Sequence, residues 1–348
     1  MLTALKTPRL LAVVSVGVAA ILLAAPAGAT TGVSTGRLAG SDRYATAAAI
    51  ATAAFPKGVA NTTAILVSGL NYPDALSAAY LAGRLDAPVL LTDPAALSTT
   101  TAAELASLDV NTVDIVGGSD AVSNAVEAQL QADGYRTARI AGTDRFATAA
   151  AVAETYPSST IGSYGSGGAT AIVATGDAFA DALAGGPIAF SAAIPVLLTD
   201  PGSLSPAAQA ALGTLGVSQV LLLGGTSAVS ANVASQIGAL HINVVRIGGA
   251  DRTQTATMLA TSEAQQLGWS LTNVNLATGA DYPDALAGGP YSGATKSPIL
   301  LTEDVNTLGQ YTTAFLQANS STISSINVFG GTLAVADATV TAAQQAAS

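Results

Sequence analysis

Residues 37–43 read RLAGSDR, and the pattern returns as RIAGTDR at residues 139–145 and as RIGGADR at residues 246–252. The copies begin roughly 100 residues apart, a spacing that is too long for a solenoid repeat and fits a small domain. This spacing predicts one module copied three times along the chain. Because a chemical step needs a single site, three similar charged openings favour a multivalent grip on a repeating ligand.

Four further motifs follow each opening in the same order. A short apolar strand leads into a turn with an acidic helix start, which reads GLNYPDAL, GDAFADAL and GADYPDAL in the three copies. A strand that reads PVLLT or PILLT comes next, and a strand ending in a Gly-Gly pair completes the series. Alanine-rich stretches such as residues 44–54 and 120–132 separate these strands and have the length of helices.

Short Val/Ile/Leu strands that alternate with helices predict βαβ units and a parallel sheet covered by helices on both faces. The predicted fold class is therefore α/β, with three tandem open parallel-sheet modules at residues 30–134, 135–240 and 241–348. Junctions of only a few residues predict modules that pack against one another. Residues 158–168 are rich in serine and glycine and are expected to form a surface loop.

The first 29 residues have the pattern of a secretory signal peptide. Lys6 and Arg9 precede an apolar run at residues 10–23, and AGA at residues 27–29 is a small-residue cleavage site. We therefore expect the protein to be secreted and to reside at the cell wall or cell surface. No cysteine follows for a lipid anchor, and we expect no integral membrane anchor because charged residues, glycine or proline interrupt every later apolar run.

Composition argues against several classes of function. The net charge of −10 becomes −12 when the two positive charges of Lys6 and Arg9 leave with the signal peptide, which argues against a nucleic-acid partner. The chain has no cysteine, so disulfides and thiol chemistry are excluded. The single histidine, His241, cannot build a histidine-rich zinc site, and we expect neither a metal nor a cofactor.

The chain resembles the cell wall binding repeat 2 family in its G-x-D-R opening, G-x-x-[FY]-x-D-A-L turn, P-[VI]-L-L-T strand and V-G-G-x-x-A-V-S turn, over residues 37–345. The resemblance implies Rossmann- or Toprim-like modules packed with pseudo-threefold symmetry, as three tandem copies in surface proteins of Gram-positive bacteria. It also implies noncovalent attachment to the wall, which clostridial members achieve through an anionic secondary polymer. The third copy departs from the pattern at Glu303, where the other copies have aspartate, and at Ala336, where they have serine.

Six of the ten Lys and Arg residues beyond the signal peptide occupy equivalent positions in the three openings. They are Arg37, Arg43, Arg139, Arg145, Arg246 and Arg252. A guanidinium group donates two hydrogen bonds at once to phosphate or carboxylate, which makes these arginines candidate ligand-binding residues. An aspartate precedes the second arginine of each opening, so ion pairs that orient loops or join modules are the alternative, and both roles can coexist.

Asp74, Asp181 and Asp284 recur in the acidic turn and are further ligand-binding candidates, with helix-start stabilisation and pairing with arginine as the alternative. We expect no catalytic residue, because general acid catalysis would need a nucleophile or metal partner and no histidine or cysteine is at hand. Three aromatic residues recur in the same turn: Tyr72, Phe179 and Tyr282. Each of these rings could stack on a sugar or pack in the core or between modules.

The second glycines of the Gly-Gly pairs, Gly118, Gly225 and Gly331, are the last ligand-binding candidates. They follow strands whose carboxyl ends form the ligand crevice in open α/β sheets. A tight turn or a close backbone approach is the alternative, because no glycine fingerprint for phosphate and no Walker lysine accompanies them.

These observations predict an exported, non-catalytic protein that attaches noncovalently to the Gram-positive wall by multivalent binding of an anionic, teichoic-acid-like wall glycopolymer. One alternative is a cell wall hydrolase, such as an amidase, or a modifier of autolysins. The lack of a zinc-binding histidine set and of a G-x-S-x-G elbow argues against hydrolysis. A self-assembling surface-layer protein is the other alternative, and the sequence leaves both self-association and the identity of the polymer open.

Overall fold

The computed structural model describes residues 32–56, 58 and 62–348 of the 348-residue chain. The predicted signal peptide, residues 1–29, lies outside the described residues. Across the described ranges, no helix combines the length and the apolar character that crossing a membrane requires.

In the described part of the chain, twelve strands form three four-stranded sheets, and every pair of neighbouring strands is parallel. The strands are β1 Ser34–Leu38, β2 Thr63–Ser68, β3 Val89–Thr92, β4 Thr112–Val116, β5 Arg136–Ile140, β6 Thr170–Thr175, β7 Val196–Thr199, β8 Gln219–Leu223, β9 Asn243–Ile247, β10 Asn273–Thr278, β11 Ile299–Thr302 and β12 Ser325–Phe329. Every residue of β2 and β6 is buried, as expected for strands covered on both faces. The predicted α/β class with parallel sheets is confirmed.

Helices connect the strands throughout the described residues. They are α1 Arg43–Ala54, α2 Ala78–Leu85, α3 Thr99–Ser107, α4 Asn124–Ala132, α5 Arg145–Ala153, α6 Ala180–Ala184, α7 Gly186–Ala192, α8 Pro206–Leu215, α9 Ala231–Ala239, α10 Arg252–Leu267, α11 Pro283–Thr295, α12 Gln310–Ala318 and α13 Asp337–Ala346. Asp74–Ser77 and Ser158–Thr160 are short 3₁₀ helices. The helix expected from residue 120 begins at Asn124, because the Ser123 side chain caps its first turn.

The sheets and the sequence copies are offset by one strand. The orders are β3-β2-β4-β5, β7-β6-β8-β9 and β11-β10-β12-β1, so the opening strand of each copy is the edge strand of the preceding copy's sheet. The first strand of the chain, β1, joins the third sheet, where Arg37 lies opposite Val328. The first and last strands of the chain therefore close the three sheets into a ring. The predicted module boundaries at residues 134/135 and 240/241 describe the repeating unit of the sequence and remain a prediction.

The acidic-turn helices α2, α7 and α11 pack where the three copies meet. A Cβ atom placed on Gly186 would lie 3.5 Å from Gly289 Cα and 3.9 Å from Ala79 Cβ, and these three positions are equivalent in the copies. A Cβ atom on Gly293 would lie 2.7 Å from Phe190 Cβ, so small residues let the helices approach closely. The copies thus pack around an approximate threefold axis, as the resemblance implied.

The loop at residues 158–168 lies largely at the surface, but its Tyr164 side chain is buried. The Tyr164 hydroxyl donates a hydrogen bond of 2.8 Å to Ser262 Oγ in α10, and the burial of the ring raises the pKa of Tyr164 to about 12. The loop therefore ties the second copy to the third.

Candidate ligand-binding junction sites

Each sheet has a crevice where the strand order reverses. In the first sheet the chain runs from β2 outward to β3 and then returns to β4 on the other side, so the connections after β2 and β4 diverge. Ligands of open α/β sheets bind in this crevice beyond the carboxyl ends of the strands. The acidic turn follows β2 and the Gly-Gly pair follows β4, which places both motifs at the crevice.

The first glycine of each Gly-Gly pair, rather than the second, is the constrained one. Gly117 and Gly224 have φ of +120° and +107°, and a Cβ atom on them would lie 3.0 Å from Asp74 Oδ2 and 2.7 Å from Asp181 Oδ2. A side chain here would be strained and would also collide with the carboxylate. A Cβ atom on Gly118 would meet open space. The second glycines were the predicted ligand-binding residues, and the packing role of the first glycines was not predicted.

Each acidic residue of the crevice faces the opening of the next copy. Burial raises the pKa of Asp74, and the Thr148 side chain, the Gly118 backbone and the charge of Arg145 partly oppose this shift. Burial likewise raises the pKa of Asp181, against a hydrogen bond from Thr255 and the charge of Arg252. We call these places junction site 1/2 and junction site 2/3.

Junction site 3/1 joins Asp284 of the third copy to Arg43 of the first. Asp284 is 8% exposed, and no hydrogen bond to its carboxyl group is found among the described residues. Burial raises the pKa of Asp284 to about 6, the nearby Asp281 raises it further, and the charge of Arg43 opposes both. A buried carboxyl group without a protein partner can exchange hydrogen bonds with a ligand.

Two of the junction sites open into cavities. At site 3/1 a cavity of about 390 Å³ is lined by residues including Arg43, Asp281, Asp284, Gly331 and Leu333. At site 1/2 a cavity of about 200 Å³ is lined by Asn71, Pro73, Asp74, Asp120, Ala121 and Arg145. The structure thus brings together candidates from all three predicted groups: an arginine, an aspartate and a glycine turn.

The first arginine of each opening holds the Gly-Gly turn of the preceding copy. Arg139 donates hydrogen bonds of 2.8 Å to the Gly117 and Val122 carbonyls and forms a 2.8 Å ion pair with Glu127. Arg37 and Arg246 make the same bond to the equivalent carbonyls of Gly330 and Gly224, at 2.7 and 2.8 Å. The architectural role weighed for the arginines therefore describes this first set.

The second arginines are held less tightly. Arg43 and Arg145 each donate one hydrogen bond of 2.6 Å, to the Gly69 and Gly176 carbonyls, and Arg252 donates to the Gly279 carbonyl. Their ion pairs are long, at 3.5 Å from Arg43 to Asp281 and 3.7 Å from Arg145 to Asp177, and the acidic partners are more than half exposed. Exposed pairs of this kind are weak, so an incoming anion can replace them.

The aspartate that precedes each second arginine caps a helix. The side chains of Asp42 and Asp144 accept hydrogen bonds of 2.8 Å from the Ala45 and Ala147 backbone N–H groups, and Asp251 caps α10 in the same way. No ion pair between these aspartates and the adjacent arginines is found in the described residues. The ion pairs of Arg43 and Arg145 form with Asp281 and Asp177 rather than with the adjacent aspartates, because the caps use those carboxylates to satisfy the otherwise free N–H groups of the first turn.

The recurring aromatic residues meet on the threefold axis. The ring centroids of Tyr72, Phe179 and Tyr282 lie 5.4, 5.6 and 5.9 Å apart. The Tyr282 hydroxyl donates a hydrogen bond of 2.7 Å to the Gly69 carbonyl, and the Tyr72 hydroxyl donates one of 2.9 Å to the Asp177 carbonyl. Packing between modules, rather than stacking on a sugar, accounts for the recurrence of these rings.

A threonine three residues after each second arginine was missed. Thr46, Thr148 and Thr255 are buried, and each Oγ1 atom accepts a hydrogen bond of 3.0 to 3.1 Å from the opening glycine. Their recurrence in all three copies was the signal that could have revealed them.

Within the residues that the structure covers, no group of three or more His, Cys, Asp or Glu side chains is placed to hold a metal ion.

Comparison with known families yields three matches to one family. Residues 37–127, 139–234 and 246–340 match the family model of Cell wall binding domain 2 (CWB2). The same motifs carried the resemblance described above, and together the three matches cover most of the chain.

Two curated relatives come from Bacillus subtilis. The chain is 34% identical to N-acetylmuramoyl-L-alanine amidase LytC over 272 residues, which is 78% of this chain and 50% of that protein. It is 32% identical to Amidase enhancer over 266 residues, which is 76% of this chain and 34% of that protein. The chain thus spans half or less of the length of these relatives.

Two solved structures share the fold. Cwp6 from Clostridium difficile has a TM-score of 0.75 and covers 93% of this chain and 50% of its own. Cwp8 from Clostridium difficile has a TM-score of 0.76 and covers 90% of this chain and 51% of its own. At 23% sequence identity this likeness concerns the fold alone.

Proposed function

Because the chain belongs to the Cell wall binding domain 2 (CWB2) family, we propose that it attaches noncovalently to the Gram-positive cell wall through its three junction sites and catalyses no reaction there. The observation that carries the proposal is the recurrence of one arrangement at all three junctions: an aspartate from one copy, half-buried at the first two junctions and buried at the third, faces an arginine from the next. Three weak sites on one rigid ring bind a repeating polymer far more tightly than one site does.

The proposed ligand is an anionic, teichoic-acid-like wall glycopolymer. The second arginines support this choice, because their long ion pairs leave guanidinium N–H groups at the cavities for phosphate oxygens. Arg43, Arg145 and Arg252 are also the first residues of helices α1, α5 and α10, whose N-terminal ends favour anions. Local geometry has to supply the attraction, since the net charge of the chain is −10.

The carboxyl groups of the junction sites complement this charge recognition. A protonated Asp284 donates a hydrogen bond to a phosphate or hydroxyl oxygen, and an ionised one accepts from sugar hydroxyls. The first arginines hold the Gly-Gly turns in place. The ligand contacts of the proposal therefore lie with the second arginines, the aspartates and the turns at Gly118, Gly225 and Gly331.

We do not extend an amidase activity to this chain. The names of the two Bacillus subtilis proteins describe those proteins, of which this chain matches half or less. Carboxylates and guanidinium groups line the two cavities, and no histidine lies among the lining residues described there. Export by the predicted signal peptide and residence at the cell surface belong to the same proposal.

Cosedimentation with purified sacculi tests the proposal. The mature chain is expected to pellet with sacculi of Gram-positive bacteria such as Bacillus subtilis and to be released intact by strong denaturant. Acid extraction of the secondary polymers beforehand should abolish pelleting. Binding that survives the extraction would contradict the polymer as ligand, and failure to pellet with any of a panel of sacculi would contradict wall attachment.

A further inference from the structure

The turn after the Gly-Gly pair differs among the copies at two positions, and the fourth residue differs most in chemistry. It reads GGSDAV, GGTSAV and GGTLAV, which places Asp120, Ser227 and Leu333 at equivalent positions. Asp120 lines the cavity of junction site 1/2, and Leu333 lines the cavity of junction site 3/1. Both cavities therefore contain an arginine and an aspartate, and they differ at this rim position, where one has a carboxylate and the other an apolar side chain.

Leu333 is unusually exposed for a large apolar side chain. It is 92% exposed, against 52% for Leu70 and 41% for Met258, the next most exposed large hydrophobic residues in the described ranges. Val305 and Pro283 line the same cavity of about 390 Å³ as Asp284 and Arg43, so apolar and charged groups border one space. Cavities that combine apolar walls with a few convergent polar groups are typical of ligand sites.

This combination suits a sugar ring better than a bare anion. A pyranose has an apolar C–H face that can pack on a leucine and hydroxyl groups that can reach a carboxyl group. At site 1/2 the equivalent residue, Asp120, lines a smaller cavity and offers a carboxylate instead of an apolar face to a ring.

We propose that junction site 3/1 is the principal polymer-binding site and that Leu333 determines its preference for a sugar-containing segment by packing against the apolar face of a ring. Site 1/2 has Asp120 in place of this leucine and a cavity of about 200 Å³ against about 390 Å³, which makes it the weaker site. This inference rests on the proposed function and assigns unequal affinities to junction sites whose sequence motifs are alike.

Four variants of the full chain test the inference by cosedimentation with Bacillus subtilis sacculi at low salt. Leu333→Ala removes the apolar contact without changing charge and is expected to weaken binding about tenfold. Leu333→Asp copies the rim of site 1/2 and is expected to weaken binding more than Leu333→Ala does. Asp120→Leu is expected to strengthen binding. Met258→Asp is the matched control, because it adds the same charge at an exposed apolar residue outside the cavities.

Several outcomes would overturn the inference. Leu333 is exposed, so its variants are expected to keep the melting temperature of the wild-type chain, which circular dichroism checks. If both Leu333 variants bind like the wild-type chain, or if Met258→Asp loses as much binding as Leu333→Asp, the assignment of site 3/1 is wrong. No gain for Asp120→Leu contradicts the role assigned to this rim position. These results leave wall attachment intact, whereas absence of wild-type binding would contradict the proposed function itself.

Discussion

The Arg37 side chain donates a hydrogen bond of 2.7 Å to the carbonyl of Gly330, which lies 293 residues further along the chain. The bond joins the first strand to the last Gly-Gly turn, and the Arg37 guanidinium also bonds the Val335 carbonyl and Asp337 at 3.0 Å. Arg139 and Arg246 hold the other two Gly-Gly turns in the same way. One arginine per junction therefore fixes the crevice, and the second is the one that we propose contacts the ligand.

The offset between sheets and sequence copies predicts which fragment folds better. Residues 41–142 contain β2 to β5 and so the whole first sheet, whereas residues 30–134 lack β5 and carry β1 without its partner β12. We expect the 41–142 fragment to be more soluble and to melt at the higher temperature in circular dichroism. The opposite order would contradict the strand exchange between copies.

Arg139→Gln is expected to destabilise the protein by about 1–3 kcal/mol, because it leaves carbonyl groups and Glu127 without their charged donor. Arg136→Gln on the same strand is the control, since Arg136 is exposed and its loss should change the free energy of unfolding by less than about 0.5 kcal/mol. Urea denaturation measures both. Equal effects of the two substitutions would show that Arg139 does not hold the turn.

Tyr282→Phe is expected to cost about 1 kcal/mol, because it removes the hydrogen bond to the Gly69 carbonyl from a buried hydroxyl at the junction of the third and first copies. Tyr311→Phe is a suitable control, because no hydrogen bond from the Tyr311 hydroxyl is found in the described part of the chain. Thermal denaturation should show one cooperative transition in both variants. A Tyr282→Phe variant as stable as the control would contradict the coupling role of this hydroxyl.

The free energy of unfolding is expected to fall as the pH rises from about 4 to about 6. In this range the folded chain keeps the proton of Asp284, whose pKa is raised to about 6, while an unfolded chain with a pKa of about 3.9 has released it. Asp284→Asn should remove this part of the pH dependence and be the more stable chain at pH 7.5, by about 1–3 kcal/mol. Urea denaturation at pH 4.5, 6.0 and 7.5 provides the test. A wild-type slope that survives in Asp284→Asn would assign it to other groups.

Wall binding should follow the same titration. Below about pH 6 the Asp284 carboxyl group is neutral beside Arg43, Asp42 and Asp281, and above it a further negative charge faces the anionic polymer. We expect binding to sacculi to weaken several-fold between about pH 5 and 7 in the wild-type chain and less in Asp284→Asn. Identical pH profiles would show that Asp284 does not face the ligand.

The parallel strands and their succession along the chain were predictable, because each motif has a residue pattern typical of one local structure. The continuous apolar runs of β2 and β6 predict buried strands, and the recurring acidic turn predicts equivalent helix starts. The exchange of β1, β5 and β9 was not predictable, because an edge strand carries no local signal that says which neighbouring sheet it joins.

The candidate site was predictable by residue type and only partly by role. Six arginines recur in equivalent positions of the sequence, yet their roles differ. The first of each pair lies in an edge strand and donates a hydrogen bond to a Gly-Gly turn, whereas the second is the first residue of a helix. An ion pair of Asp42 with Arg43 was one of two open alternatives, and in the structure the Asp42 carboxylate accepts a hydrogen bond from a free N–H group of the helix start instead. The meeting of Tyr72, Phe179 and Tyr282 depends on the packing of whole copies, which no local pattern encodes.

Binding of the Arg43→Gln/Arg145→Gln/Arg252→Gln chain to purified sacculi tests the central claim most directly. The single change Arg43→Gln should weaken binding modestly, and the triple change should abolish it, because the losses at linked sites multiply. Arg136→Gln/Lys296→Gln, which removes exposed positive charge away from the cavities, should bind like the wild-type chain. A triple variant that keeps the wild-type circular dichroism and melting temperature and still binds sacculi with unchanged affinity would contradict the account.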